Sequence, residues 1–381
     1  LQTTDSGSSL KAVFSLFLRL GFTAFGGPAA HIALMEEEVV RRRRWVDHQE
    51  FLDLLGATNF IPGPNSTEMA IHIGYRVAGW RGLWVAGLSF ILPAAFIVSV
   101  IAAMYVRYGG LPEAQGLLYG IKPVLIAVIF QAVYVLGKTA VKSPFLAVLG
   151  AAVLVGKFFG IGEIPLLLAA ASIAFLGARR GSAMGAASCW LIAPTAGATS
   201  VGTLTATLST ASLSGIFFYF LKVGSLLFGS GYVLFAFMRT DLVDRLRWLT
   251  EPQLLDAIAV GQFTPGPVFT AATFVGYLLG GGPGAALATL AIFLPAFIFV
   301  ALSAPYVARL RNSPRAARVL DGVNVASLAI LAYAGMELGK SALVDFPALA
   351  IAIVSTVLLL RFRLNSTWLL IPAGVFGYFR D

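Results

Sequence analysis

Apolar runs of about the length of a membrane span recur along the whole chain, with short polar or charged stretches between them. They fall at 12–34, 83–106, 116–137, 144–159, 163–178, 213–238, 284–307, 319–339, 345–360 and 366–379. A helix needs roughly 20 apolar residues to cross about 30 Å of hydrocarbon. The strands of a membrane barrel would be shorter and would alternate apolar with polar residues; these runs do not alternate. The pattern predicts an all-α polytopic membrane protein. After the first run of each half comes a charged segment, "EEEVVRRRRWVDHQEFLDLL" at 36–55 and "RTDLVDRLRWLTEPQLLDAI" at 239–258. Apolar residues at 39, 40, 45, 46, 51, 54 and 55 suggest one helical face lying along the interface, with Trp45 or Trp248 as anchor.

The pattern is written twice. Residues 18–64 pair with 221–267: "LRLGFTAFGG" matches "LKVGSLLFGS", Arg44–Trp45 matches Arg247–Trp248, and "FLDLLGATNFIPGP" matches "LLDAIAVGQFTPGP". After a one-residue deletion Gly74–Tyr75 pairs with Gly276–Tyr277, and "LPA" at 92–94 with 294–296. Matching Trp, Pro-Gly-Pro and Asp in order points to duplication. The expected halves are 1–180 and 213–381, joined by a Gly-, Ala-, Ser- and Thr-rich linker at 181–212.

Basic residues orient the halves. If each Pro-Gly-Pro element dips into the membrane and returns, Arg41–Arg44, Arg76, Arg81, Lys138, Lys142, Arg179 and Arg180 share one face. An odd number of crossings then inverts the second half. That places Arg309, Arg311, Arg315, Arg318, Arg361 and Arg363 on the same, cytoplasmic face. The expectation is an inverted repeat of about ten crossings plus two re-entrant hairpins, with the N-terminus outside. Six crossings per half, with 183–205 as an extra span, is the alternative.

Composition agrees. Of 381 residues, 58% are hydrophobic and 12% charged, against roughly 25% charged in soluble domains. The net charge of +9 sits in short loops beside apolar runs, so topology explains it without nucleic acid. A lone Cys189 gives no internal disulfide and reads as a small buried residue. The opening "LQTTDSGSS" is polar and unlike a signal peptide. The chain holds only His31, His48 and His72, with no HExxH, Walker or GxSxG motif. An enzyme, a metal site, a cofactor and a nucleotide-driven pump are therefore not expected.

The candidate chemistry lies at the breaks. Proline cannot continue a helix interior. Pro62, Gly63 and Pro64, and again Pro265, Gly266 and Pro267, should each end one half-helix and start another. Broken backbone is tolerated at membrane depth only where protein or a water-filled cavity satisfies it, and a half-helix N-terminus favours anions. Asn65, Ser66 and Thr67 could cap that helix or touch the anion; in the second copy Thr264 and Thr270 remain. A tight turn that only fits a hairpin into the bundle is the plain alternative. Gly26 and Gly27 allow close approach of backbone or ligand, though helix packing explains them equally. Arg19 and Lys222 occupy matched places inside apolar runs, and Lys122 aligns with Asn324. These cations suit a small dianion; snorkelling to a headgroup is the alternative. Glu68 and His72 lie four apart on one helical face and suit either proton handling or a structural hydrogen bond.

With "LRLGFTAFGGPAAHI", "FIPGPNSTEMAIHIGY" and "FTPGPVFTAATFVGY" together, the chain resembles the chromate ion transporter family over essentially its whole length, in the long two-repeat form. The resemblance implies a bacterial or archaeal inner-membrane carrier that exports chromate, is coupled to the proton motive force and confers chromate resistance. Sulfate is a further substrate or competitor in such a family. Membrane lipid and a second copy of the chain are the other expected partners. The second half departs from the pattern at Gly229–Ser230–Gly231 and lacks counterparts of Asn65, Glu68 and His72, which places the main polar site in the first half. An anion channel is the nearest competing reading.

Overall fold

The computed structural model describes residues 6–177, 211–228, 231–304, 314–362 and 364–380. Cys189, Gly229, Ser230, Arg309, Arg311, Arg363 and the 183–205 stretch lie outside the described residues. The described chain is all helix, and its two halves repeat element by element.

The first half opens with α1 (Ser6–Thr23) and α2 (Gly27–Glu36), followed by a π-helical segment, Glu37–Arg42. Then come α3 (His48–Thr58), the Pro-Gly-Pro break and α4 (Asn65–Tyr108). The half closes with α5 (Pro112–Ala140), α6 (Pro144–Phe158) and α7 (Glu163–Gly177). The second half answers with α8 (Leu213–Leu226), α9 (Val233–Met238), a π-helical segment Arg239–Arg245 and α10 (Glu251–Phe263). A 3₁₀ turn, Val268–Thr270, leads into α11 (Ala271–Ser303), and α12 (Pro314–Ala342), α13 (Phe346–Arg361) and α14 (Ser366–Tyr378) complete it. Even the caps correspond. Asp47 and Thr250 cap α3 and α10, and Ser143 and Asp345 cap α6 and α13, each accepting an otherwise unpaired N–H.

The long helices α4 and α11 are each folded back on themselves. Ala78–Gly79 and Gly280–Gly281 have non-helical backbone. In each, two glycines on either side of the turn press together, Gly74 on Gly82 and Gly276 on Gly284. The first arm of α4 therefore runs antiparallel to α3: Asn65 bonds Asn59 near the tip, and Arg76 pairs with Glu50 at the base. This is the expected re-entrant hairpin, and α10 with the first arm of α11 forms its copy.

The first apolar run of each half departs from expectation. Rather than crossing, 12–34 breaks at Ala24–Gly26, and 213–238 breaks after Leu226. Ser9 at the start of α1 bonds the Val77 carbonyl, at the turn of α4, and Arg19 pairs with Glu38 beyond α2. Thus α1 enters and α2 returns to the face that carries Arg41–Arg44. The cause is the glycine pair Gly26–Gly27 that follows Ala24–Phe25. It gives the chain positive φ at Gly26 (103°) and Gly27 (77°), which L-residues with side chains rarely adopt.

The second arms of α4 and α11 pack together and point in opposite directions. Trp84, early in its arm, stacks on Phe297, late in the other, at 4.9 Å. Tyr105, near the end of α4, meets Phe274 and Asp256 at the base of the second hairpin. The repeats are therefore inverted: the hairpins of the first half enter from one face and those of the second from the other. Lys142 pairs with Asp321 on the first face, called the basic face below, while Asp345 gathers Tyr119 and Arg380 on the opposite face. Among the described residues, four helices (Asn65–Tyr108, Pro112–Ala140, Val268–Ser303 and Ala317–Ala342) are long and apolar enough to cross a membrane. The shorter apolar helices α6, α7 and α13 pack with them. The end of α7 lies by Gly322 on the basic face, whereas α8 starts beside Gly280 on the other.

In a Cys189→Ala background, single cysteines at Lys11, Arg41 and Lys142 should react with an impermeant thiol reagent from one face only, and those at Glu113 and Lys340 from the other. Labelling of Lys11→Cys from the face opposite Arg41→Cys would restore a full crossing to the first run.

Candidate functional site

Broken backbone leaves N–H and C=O groups that must find partners. Here each break serves the other half. The Gly63 N–H donates to the Leu227 carbonyl at 2.7 Å, and the Gly266 N–H donates to the Ala24 carbonyl at 2.9 Å. Both bonds tie a Pro-Gly-Pro tip to the broken end of α1 or α8 in the opposite repeat. Gly63 and Gly266 hold φ of 145° and 91°, positions where a side chain is strained.

Beside this knot a cavity of about 540 Å³ opens toward the basic face, within the roughly 300–1,000 Å³ of ordinary ligand pockets. One wall is the first hairpin, with Gly56, Asn59 and Asn65; the other is α12, with Asn324 and Ser327. Lys142 and Asp321 stand in its lining, as do Pro28 and Ala29 at the start of α2. Neither α2 nor α4 has a side-chain N-cap, so no capping side chain takes up their first N–H groups, and their dipoles are directed at this region. The Ser327 hydroxyl is buried and without a hydrogen-bond partner, as is Oδ1 of Asn324.

The structure distributes the sequence-derived candidates unevenly. Asn65 lines the cavity and donates to Asn59 Oδ1 at 3.2 Å. Ser66 and Thr67 are buried in the first turn of α4, with the Thr67 hydroxyl unpartnered. Gly26 packs against Asn365 and Gly27 against the Tyr232 hydroxyl. Thr264 and Thr270 donate their hydroxyls to Val260 and Pro267 carbonyls of their own segment, so they stabilise the second break. Glu68 and His72 are fully buried; both Glu68 carboxylate oxygens and His72 Nε2 lack partners, and the carboxylate lies against Gly63.

The three intramembrane cations are all paired. Arg19 meets Glu38 at 2.7 Å and Lys222 meets Asp241 at 2.5 Å. These are one interaction in two copies, since Glu38 and Asp241 begin matched π-helical segments. Arg42 also reaches Glu38, as Arg245 reaches Asp241. The Arg19 side chain is about half exposed, whereas Glu38 is largely enclosed. Lys122 lies 3.0 Å from Asp256, which also accepts from the Tyr105 hydroxyl at 2.8 Å. With the Asp256 side chain only 4% exposed, removing either partner would cost on the order of 3–5 kcal/mol.

Sequence reasoning passed over the acids. Glu38 aligns with Asp241 and Asp53 with Asp256 in the same repeat that revealed the cations, and that correspondence was the available signal. Ser327 carried none: a serine in an apolar helix becomes notable only when the cavity beside it is seen.

Comparison with known proteins identifies the family. The family described as "Chromate transporter" matches residues 11–178 and 214–378, one match per repeat. The chain is 32% identical to the chromate transport protein of Cupriavidus metallidurans, covering 98% of this chain and 96% of that protein. It is 31% identical to the probable chromate transport protein of Synechococcus elongatus (92% and 89%) and 30% identical to the chromate transport protein of Pseudomonas aeruginosa (97% and 92%). No solved structure matches the chain. Matched in both halves and along nearly its full length, this polytopic inverted-repeat chain belongs to the chromate transporter family.

Proposed function

We propose that the chain is a secondary-active carrier that exports chromate from the cytoplasm, driven by the proton motive force, and so confers chromate resistance from a bacterial or archaeal inner membrane. The observation that carries this reading is the cavity: it reaches the tips of two half-helices from one face and stops there. Its mouth lies on the face rich in Arg and Lys, which membrane topology assigns to the cytoplasm. Beyond the tips, Lys122, Asp256 and Tyr105 join α5, α10 and α4. A site open to one face and sealed from the other serves a carrier; an open anion channel would need a continuous polar path.

The chemistry suits a tetrahedral dianion. The N–H groups at the start of α4, with Asn65, Ser66, Thr67 and the Gly26–Gly27 backbone, supply donors. Arg19, Lys222 and Lys122 supply positive field around them, moderated by their acids. Desolvating a dianion is costly, and fixed donors and dipoles offset that cost without reorganising. Glu68 is the coupling candidate, with His72 one turn on. A charged, unpaired carboxylate at that depth is expensive, so proton uptake and release there would track the conformational cycle. Sulfate shares the shape and charge of chromate and is the natural competitor.

Two outcomes test this in inverted vesicles supplied with labelled chromate from outside, with and without a pH gradient and with sulfate as competitor. A Cβ at Gly56 meets nothing within 4 Å, so Gly56→Phe should grow into the cavity, leave folded yield intact and slow uptake at least about tenfold, equivalent to ~1.4 kcal/mol. Normal uptake would move the site elsewhere. Glu68→Gln should remove the acceleration given by the pH gradient while chromate still binds. A full response to the gradient in this variant would take Glu68 out of coupling.

A further inference from the structure

The inverted repeat assigns every wall of the cavity a counterpart on the opposite face. Asn59 at the tip of the first hairpin corresponds to Gln262 at the tip of the second, Gly56 to Ala259, and Asn324 of α12 to Lys122 of α5. The first set borders open space. The second set is closed: α10 packs directly on α5 and α12, Ala259 is 3% exposed, and Asp256 bridges Lys122 and Tyr105. Gln262 is likewise only 3% exposed, yet its Nε2 donates to nothing. A buried amide donor without an acceptor is unfavourable, and this one lies at the tip of the hairpin whose copy lines the cavity.

We infer that the opposite face holds a second, latent oxyanion site, formed by Lys122 and the Gln262 amide and closed in this structure because the Asp256 carboxylate holds Lys122. The inference rests on the reading of the basic-face cavity as an oxyanion site. Asp256 is an internal anion: it satisfies the lysine and the tyrosine hydroxyl while the second hairpin is shut. When that hairpin swings away from α5, Lys122 loses its carboxylate and Gln262 gains access to an acceptor. An incoming or departing oxyanion fills both needs. The same motion, through the reciprocal bonds at the breaks, brings the first hairpin toward α12 and closes the basic-face cavity. At the matched position the latent site carries Lys122 where its twin carries the neutral Asn324.

The test uses full-length protein in proteoliposomes, in a Cys189→Ala background, with an impermeant thiol reagent applied to one face at a time. Gly56→Cys reports the basic-face cavity and Ala259→Cys the latent site. Adding Asp256→Asn should raise labelling of Ala259→Cys from the face opposite the arginines by about tenfold and lower that of Gly56→Cys. Such a change is the scale of ~1.4 kcal/mol in a two-state equilibrium. Chromate or sulfate on that face should then protect Ala259→Cys, and Lys122→Gln should abolish the protection. If Asp256→Asn does not fold, Tyr105→Phe removes one of the hydrogen bonds and should shift both rates in the same direction by a smaller factor. Unchanged labelling in a folded variant, or labelling that neither anion slows with Lys122 intact, would overturn the proposal. Labelling needs no transport, so failure here is distinct from failure of chromate export: vesicles that export chromate with fixed accessibility sink only this inference, and alternating accessibility without chromate flux sinks only the former.

Discussion

Two main-chain hydrogen bonds hold the centre of this protein. Gly63 donates to Leu227 and Gly266 to Ala24, so that each Pro-Gly-Pro tip is completed by the broken helix of the other repeat. At membrane depth an unsatisfied backbone group costs several kcal/mol, and water is not available to pay it unless a cavity brings it there. Neither half can satisfy its own break. The duplication is therefore more than a doubling of mass: each repeat supplies the acceptor that makes the other's interruption tolerable. The close packing of the second arms of α4 and α11, with Trp84 on Phe297, sets the two knots side by side.

From that constraint the rest follows in order. Because four half-helices end at the breaks, their termini and dipoles converge on one region. Because the repeats are inverted, the hairpins enter from opposite faces and their bases carry the charged π-helical segments. The acids of those segments then meet the cations of α1 and α8, Arg19 with Glu38 and Lys222 with Asp241. Each long basic side chain keeps a carboxylate near it instead of standing alone beside lipid. Small residues do the remaining work: a Cβ at Gly21 would come within about 3 Å of the carbonyls of Ser89 and Phe90, so only glycine lets α1 lie this directly along α4, where no hydrophobic driving force between helices operates.

Much of this was legible in the sequence. Helicity, duplication and the re-entrant Pro-Gly-Pro hairpins follow from apolar run length and matched motifs; the halves are inverted as expected, though not through the expected odd count of crossings, because the first run does not cross and α1 starts on the basic face. The first run of each half was misread, because hydropathy over 12–34 registers composition and is blind to a reversal. Ala24–Phe25–Gly26–Gly27 is apolar enough to extend a span yet free enough in backbone to end one. The cations were visible and their partners were not: Glu38 and Asp256 sit in charged, amphipathic segments where acids look solvated, and only tertiary packing shows them buried. Asn324 and Ser327 lay in a helix with no local feature to mark them. Their significance comes from facing the first hairpin across a cavity.

The two halves differ most where the first is polar and buried. Glu68 and His72 are enclosed without partners, an arrangement that costs stability. The second half places Phe269 and Phe274, both fully buried, in the corresponding stretch after its own break, and such rings leave no polar group to satisfy. Yet the second half builds the same hairpin, the same folded-back long helix and the same reciprocal bond. The fold therefore does not require the polar pair. A cost borne by one copy and absent from its twin is not explained by architecture, and it falls on the turn of helix that starts at the cavity and lies under the Gly63 tip. That asymmetry supports the proposed proton handling in the first half, while the second half completes the breaks and, in this structure, closes the opposite face over the site inferred there.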